Sequence, residues 1–81
     1  MKTIMYIMAN DAKWMKKEME MPFTPVPGMS IQGIADEHEL KISGMCYVIG
    51  EENYLKLRLA WLTDTPLNSK TMINFGWELA V

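Results

Sequence analysis

The sequence predicts an α+β fold, mainly antiparallel β: a small sheet or partly open barrel with one short C-terminal helix. Three observations carry this. Two alternating runs flank a turn-rich loop at residues 50–53, a proline-rich corner interrupts an earlier alternating run, and the last third carries the signals of one short helix. At 81 residues there is room for one domain, spanning residues 1–81. A chain of this size buries only roughly 60–65% of its extended surface, so its core is small. Apolar residues make up 49% and charged residues 22%, a globular rather than a disordered composition.

Residues 2–8, "KTIMYIM", form a short apolar run with isoleucine and tyrosine, which suits a buried strand. "ANDA" follows, and Asn10 and Asp11 tolerate the left-handed dihedrals of a tight hairpin. Residues 13–21, "KWMKKEMEM", admit two readings. A helix capped by Asn10 would gather only Met15 and Met19 on one side. A strand puts Lys17, Met19, Met21 and Phe23 on one face and Glu18, Glu20 and Pro22 on the other. The alternation over "EMEMPF" favours the strand.

Pro22 has no N–H to donate, so this strand should finish there or lie at an edge. Pro25 and Pro27 hold the chain extended, and Gly28 supplies the freedom to turn. "PFTPVPG" therefore reads as a stiff corner, with Phe23 and Val26 expected to pack beneath it. A proline-rich docking motif is the functional alternative.

Residues 40–62, "LKISGMCYVIGEENYLKLRLAWL", predict a β-hairpin. With Ile49 facing Tyr54, one face pairs Val48 with Leu55, Cys46 with Leu57, Gly44 with Leu59 and Ile42 with Trp61. The other pairs Tyr47 with Lys56, Met45 with Arg58, Ser43 with Ala60 and Lys41 with Leu62. The first face is apolar at every pair, so Trp61, Leu57, Leu59, Ile42 and Val48 are the expected core. Towards the end, Thr65 as N-cap and Pro66 as first helical residue predict a short helix. Gly76 followed by Trp77 fits a left-handed ending in which Trp77 folds back on the helix, and residues 77–81 could add a short strand.

Net charge is −2, which argues against a general nucleic-acid binder. A single cysteine, Cys46, excludes an internal disulfide and suits the reducing cytoplasm. No apolar run approaches the ~20 residues of a membrane span, and the N-terminal apolar stretch lacks the length and cleavage site of a secretory leader. Nine methionines read first as flexible core filling and second as an adaptable contact surface.

His38 in "ADEHEL" has acidic neighbours but no second histidine or cysteine at ligand spacing, so it reads as part of a solvated acidic loop, and no metal or cofactor is expected. Cys46 falls on the expected apolar face, as a small hydrophobe. An enzyme built on His38 and Cys46 is the weaker alternative. No phosphate-cradling or nucleophile motif is present.

The second hairpin face carries the functional expectation. It gathers Tyr47 and Tyr54 with Lys56 and Arg58 and no acid, in a chain that is acidic overall. Tyrosines stack on flat groups, and lysine and arginine pair with anions. The expectation is a non-enzymatic binding protein, acting as a homo-oligomer, that occupies or sequesters a partner. Its ligand would be a nucleotide-like anion held by Tyr47, Tyr54, Lys56 and Arg58. Met45, Ile49 and Leu62 would form a subunit interface. A pure protein–protein interaction or inhibitor module, with an acidic protein as partner, is the alternative.

Overall fold

The computed structural model describes residues 2–80. Its architecture is one six-stranded, mixed but mostly antiparallel open sheet with a single short helix near the C-terminus. The elements are β1 (Lys2–Met8), β2 (Trp14–Glu20), β3 (Ser30–Gln32), β4 (Glu39–Val48), β5 (Tyr54–Trp61), α1 (Ser69–Ile73) and β6 (Glu78–Leu79). In space the order is β3-β4-β5-β1-β2-β6. The β1–β5 pair is parallel and the other four are antiparallel. Both edge strands are very short, three residues in β3 and two in β6, so the outer sides of β4 and β2 are only partly covered by a strand.

The first hairpin forms as the alternation predicts. Residues 14–20 are strand, and Met15, Lys17, Met19 and Met21 turn to the covered side. Its loop differs in detail: Ala12, not Asn10 or Asp11, takes the positive φ of 62°. The two polar residues are occupied elsewhere. The Asn10 backbone N–H donates to the Leu67 carbonyl at 2.9 Å, and its Nδ2 donates to the Pro66 carbonyl at 2.8 Å. Asp11 accepts from both the backbone N–H and the hydroxyl of Ser69, the first residue of α1. Those bonds hold the Asp11 carboxyl below its ordinary value of 3.8, the Ser69 hydroxyl bond being the largest cause.

Pro22 follows the end of β2, as its missing donor requires. In the corner, the Met29 N–H donates to the Val26 carbonyl at 3.0 Å across Pro27-Gly28, and Gly28 has φ 90°. That is the proline–glycine turn with left-handed freedom at its third position. The packing beneath it differs from expectation: Pro25 is buried, while Phe23 and Val26 are exposed.

The second hairpin exists, but its register is displaced. Val48, not Ile49, stands opposite Tyr54, so the loop runs over five residues, 49–53, with the Gly50 N–H bonded to Asn53 Oδ1 at 3.2 Å. Tyr47 therefore faces Leu55, Cys46 faces Lys56, Met45 faces Leu57 and Gly44 faces Arg58. A bulge at Ser43, between Ile42 and Gly44, shifts the register again, so Ile42 opposes Leu59 and Leu40 opposes Trp61. One extra loop residue inverts every side chain next to the turn, and the bulge restores the facing beyond it. The larger Met45, rather than Cys46, is thereby packed against the core.

Leu57, Leu59 and Ile42 are buried as expected, but Val48 is only half-buried and points to the opposite face. Trp61 is also half-buried, packed against the core edge, with Nε1 donating to the Met8 carbonyl at 2.7 Å. The largest fully buried side chain is Trp77. It lies in one cluster with Met5, Ile7, Met15, Leu40 and Met72, and its Nε1 donates to the Ile34 carbonyl at 2.7 Å. Met5, Met15 and Met72 are fully buried and Met19, Met21, Met29 and Met45 pack around them, so core filling accounts for most of the methionines.

The helix starts later than Thr65. Asn68 is its N-cap, accepting from the Thr71 N–H at 2.8 Å, while Thr65 bonds Thr63. Its ending is the predicted one: Gly76 has φ 89°, and the Trp77 N–H donates to the Met72 carbonyl at 3.2 Å. Lys17 Nζ reaches the Phe75 carbonyl at 2.9 Å, adding a cation at the last turn. Beyond Trp77, β6 pairs with β2.

Candidate functional site

α1, Trp77 and the 33–38 segment cover one face of the sheet, leaving the other open. The pairing registers order this open face into rows running across the strands. One row is Cys46, Lys56, Ile4 and Glu18. The next is Gly44, Arg58, Tyr6, Lys16 and Glu78. Lys41 and Ala60 lie beyond Arg58, and Met8 and Trp14 beyond Tyr6.

Between these rows lies a trough of about 450 Å³, lined by Tyr6, Trp14, Gly44, Cys46, Lys56 and Arg58, with Met45 also contributing. Lys56 Nζ stands 5.2 Å from the centre of the Tyr6 ring, a cation–aromatic contact. Arg58 lies against bare β4 backbone, because a Cβ at Gly44 would come within 3.4 Å of its Nη2. Glycine at 44 thus leaves room for Arg58, not for Leu59. Ser43 Oγ, at the bulge, donates to the Arg58 carbonyl at 3.0 Å and ties down the strand carrying the guanidinium.

The surrounding charges are unevenly satisfied. Lys2 reaches Glu52 at 3.1 Å and Glu18 at 3.5 Å, and Lys16 reaches Glu78 at 3.8 Å. Hydrogen bonding to Glu52 is the main cause that raises the Lys2 pKa. No described carboxylate forms an ion pair with Lys56 or Arg58. Two exposed cations therefore share a trough with Tyr6 and a part-exposed indole. Chemically, the arrangement can pair with anionic oxygens while a flat group lies on the aromatic side.

Of the residues expected to form the site, Tyr54, Lys56 and Arg58 do share this face. Tyr54 stands at one end, beneath Lys2 Nζ at 6.0 Å, and does not line the trough. Tyr47 is on the opposite face, because the register sets it across from Leu55 instead of Lys56. There it lines a second, apolar hollow of about 470 Å³ beneath the proline corner, with Met21, Phe23, Pro25 and Leu55. Met45 is likewise paired opposite Leu57 and packed against the core, although it also borders the trough. Ile49 projects from the hairpin loop at 80% exposure, and Leu62 lies just past β5 at 51%.

Cys46 departs most from expectation: it is exposed and lines the trough opposite Lys56. His38 packs edge-on against Trp61 at 5.8 Å, on the covered side, so the two are not brought together. Among the described residues no group of histidine, cysteine and carboxylates could hold a metal ion.

The site residues that sequence reasoning missed are Tyr6 and Trp14. Alternation alone puts Ile4, Tyr6 and Met8 on one face of β1, but a strand apolar on both faces gives no sign of which is uncovered. Their meeting with Lys56 and Arg58 depends on the parallel β1–β5 pairing, a contact across some fifty residues of chain. Comparison with protein families, with characterised proteins and with solved structures finds no match. No helix is long and apolar enough to cross a membrane among the described residues.

Proposed function

We propose that this chain is a non-catalytic binding protein that takes a planar, nucleotide-like anion on its open sheet face and acts by occupying or sequestering that ligand. One observation carries the reading: Lys56 and Arg58, neither with an ion-pair partner among the described residues, face one trough walled by Tyr6 and Trp14. Its about 450 Å³ lies within the range of roughly 300–1,000 Å³ common for small-molecule sites. Arg58 supplies a planar fork for two oxygens of a phosphate or carboxylate, and Lys56 supplies a point charge. These side chains project from the same strand about 7 Å apart, a span that suits two anionic groups or one group bridged between them. Tyr6 and Trp14 offer the stacking surface. A single cysteine, with no disulfide to keep oxidised, suits a reducing compartment such as the cytoplasm.

Calorimetry with AMP and a panel of acidic metabolites tests this. Binding heat for the parent is expected to vanish in Arg58→Glu, with a nearly unchanged melting curve. Tyr47→Ala, on the far face, should bind like the parent. No heat from any member of the panel would overturn the reading, and leave a protein-interaction module as the function of this face.

A further inference from the structure

We infer that a second copy of this chain docks face to face on the open sheet, about a two-fold axis along β1, and competes with the anion for Lys56 and Arg58. The competition rests on the ligand reading above; the docking rests on the surface itself. The open face is divided in charge and size. Its β4–β5 half carries Lys56 and Arg58 with the small Gly44 and Ala60; its β2–β6 half carries Glu18, Glu20 and Glu78 with the large Trp14. A two-fold axis along the central strand lays each half over the other without changing height along the strands, an isologous arrangement.

The row pairing then matches opposites. Lys56 and Glu18 are both level with Ile4, so Lys56 meets Glu18 of the partner subunit. Arg58 and Lys16 are both level with Tyr6, and Glu78 lies one strand further out. Lys16 is the like charge in that row. The space left at Gly44 lets Arg58 lean past it to Glu78 of the partner subunit. One residue pair on, Ala60 comes over Trp14 of the partner subunit, small against large. Ile4, Tyr6 and Met8 meet on the axis.

Two further features favour this face. Glu18 and Glu78 are well exposed, 59% and 72%, and their own ion pairs are long, 3.5 and 3.8 Å, so both can turn to a new cation. The chain is a slab of 34 × 26 × 18 Å, and a broad side of that size is of the order of the ~800 Å² each partner gives to a specific interface. Since the partner's carboxylates and the anion use the same two cations, occupancy by one should exclude the other.

Sedimentation velocity, run up to high micromolar concentration, decides it. The parent is expected to dimerise. Lys56→Glu and Glu18→Lys should each weaken the dimer at least tenfold, with folding checked by melting. Lys56→Glu/Glu18→Lys, which restores opposite charges across the axis, should recover most of that loss. Saturating AMP should convert the parent dimer to monomer. A monomeric parent, or a double variant as weak as the singles, overturns the docking. A dimer indifferent to AMP that gives binding heat overturns the competition. AMP heat from a monomeric parent sinks the dimer and leaves the ligand reading standing; a dimer that gives no heat with AMP or any other member of the panel sinks the ligand reading and leaves the interface.

Discussion

The two faces of this sheet are made from the same strands, yet they differ in what finishes them. The covered face is closed by the chain itself: Trp77 is 2% exposed and Met5, Met15, Ile42 and Leu57 are fully buried. The open face presents comparably large side chains, Tyr6, Met8 and Trp14, with no described helix or strand packed above them, and Met8 and Trp14 are each 41% exposed. Burial sets the covered face, so substitutions there should be felt as stability. Charge and shape set the open face, so substitutions there should be felt in binding.

The largest test of that contrast uses two tryptophans. Trp77→Ala removes a buried indole and its bond to Ile34, which should cost about 3–5 kcal/mol. That is much of the stability of a small domain. Trp14→Ala, on the open face, should cost about 1 kcal/mol or less. Chemical denaturation of both measures the difference; similar midpoints would erase the distinction between the faces.

A smaller effect is expected at the corner that turns the chain from β2 towards β3. Gly28 holds φ 90° with open space where a Cβ would stand, so the penalty of Gly28→Val is backbone strain, about 2 kcal/mol. Gly50 also faces open space but has no positive φ, so Gly50→Ala should be within about 0.5 kcal/mol of the parent. Equal melting temperatures would mean that the corner does not depend on its left-handed residue.

The smallest effect concerns how the covering layer is fastened. Asp11 grips Ser69 at the start of α1, and its carboxyl pKa is lowered by that bond. A lowered folded-state pKa means stability that is present in full above the ordinary value of 3.8 and is lost as pH falls through the folded value. Asp11→Ala should therefore melt below the parent at neutral pH, with the gap closing in acid. A gap independent of pH would show that the carboxylate charge is not what holds the helix to the first hairpin.

Much of the fold is legible locally. The alternation of "EMEMPF", the missing donor of Pro22, the turn at Pro27-Gly28 and the Gly76-Trp77 helix ending each rest on a few neighbouring residues. All four appear, although the strand stops at Glu20 and Phe23 is left exposed instead of continuing the face of Met19 and Met21. The limits appear at the second hairpin. A loop of four residues and one of five are both compatible with "IGEENY", and the choice turns Cys46 outward and Tyr47 and Met45 inward. The helix start shows the same limit. Thr65 and Asn68 are both good caps, and the β1–β2 loop, by holding Pro66, Leu67 and Ser69, favours the later one.

The candidate site was legible only in part. Lys56 and Arg58 share a face because alternation along one strand requires it, and no tertiary contact can undo that. Tyr6 and Trp14 join them because β1 inserts between β5 and β2, and Cys46 joins them because the five-residue loop sets the facing of β4 next to the turn. By itself the sequence determined the four long strands β1, β2, β4 and β5, the turns that need proline or glycine, and the placing of the two cations on one face; the short edge strand β3 had no local signal. Only the tertiary structure decided which face α1 and Trp77 would cover, and therefore which side chains remain open to a ligand or a second copy. Local preferences act over a few residues, whereas covering a sheet depends on the total apolar area that distant segments can bury together.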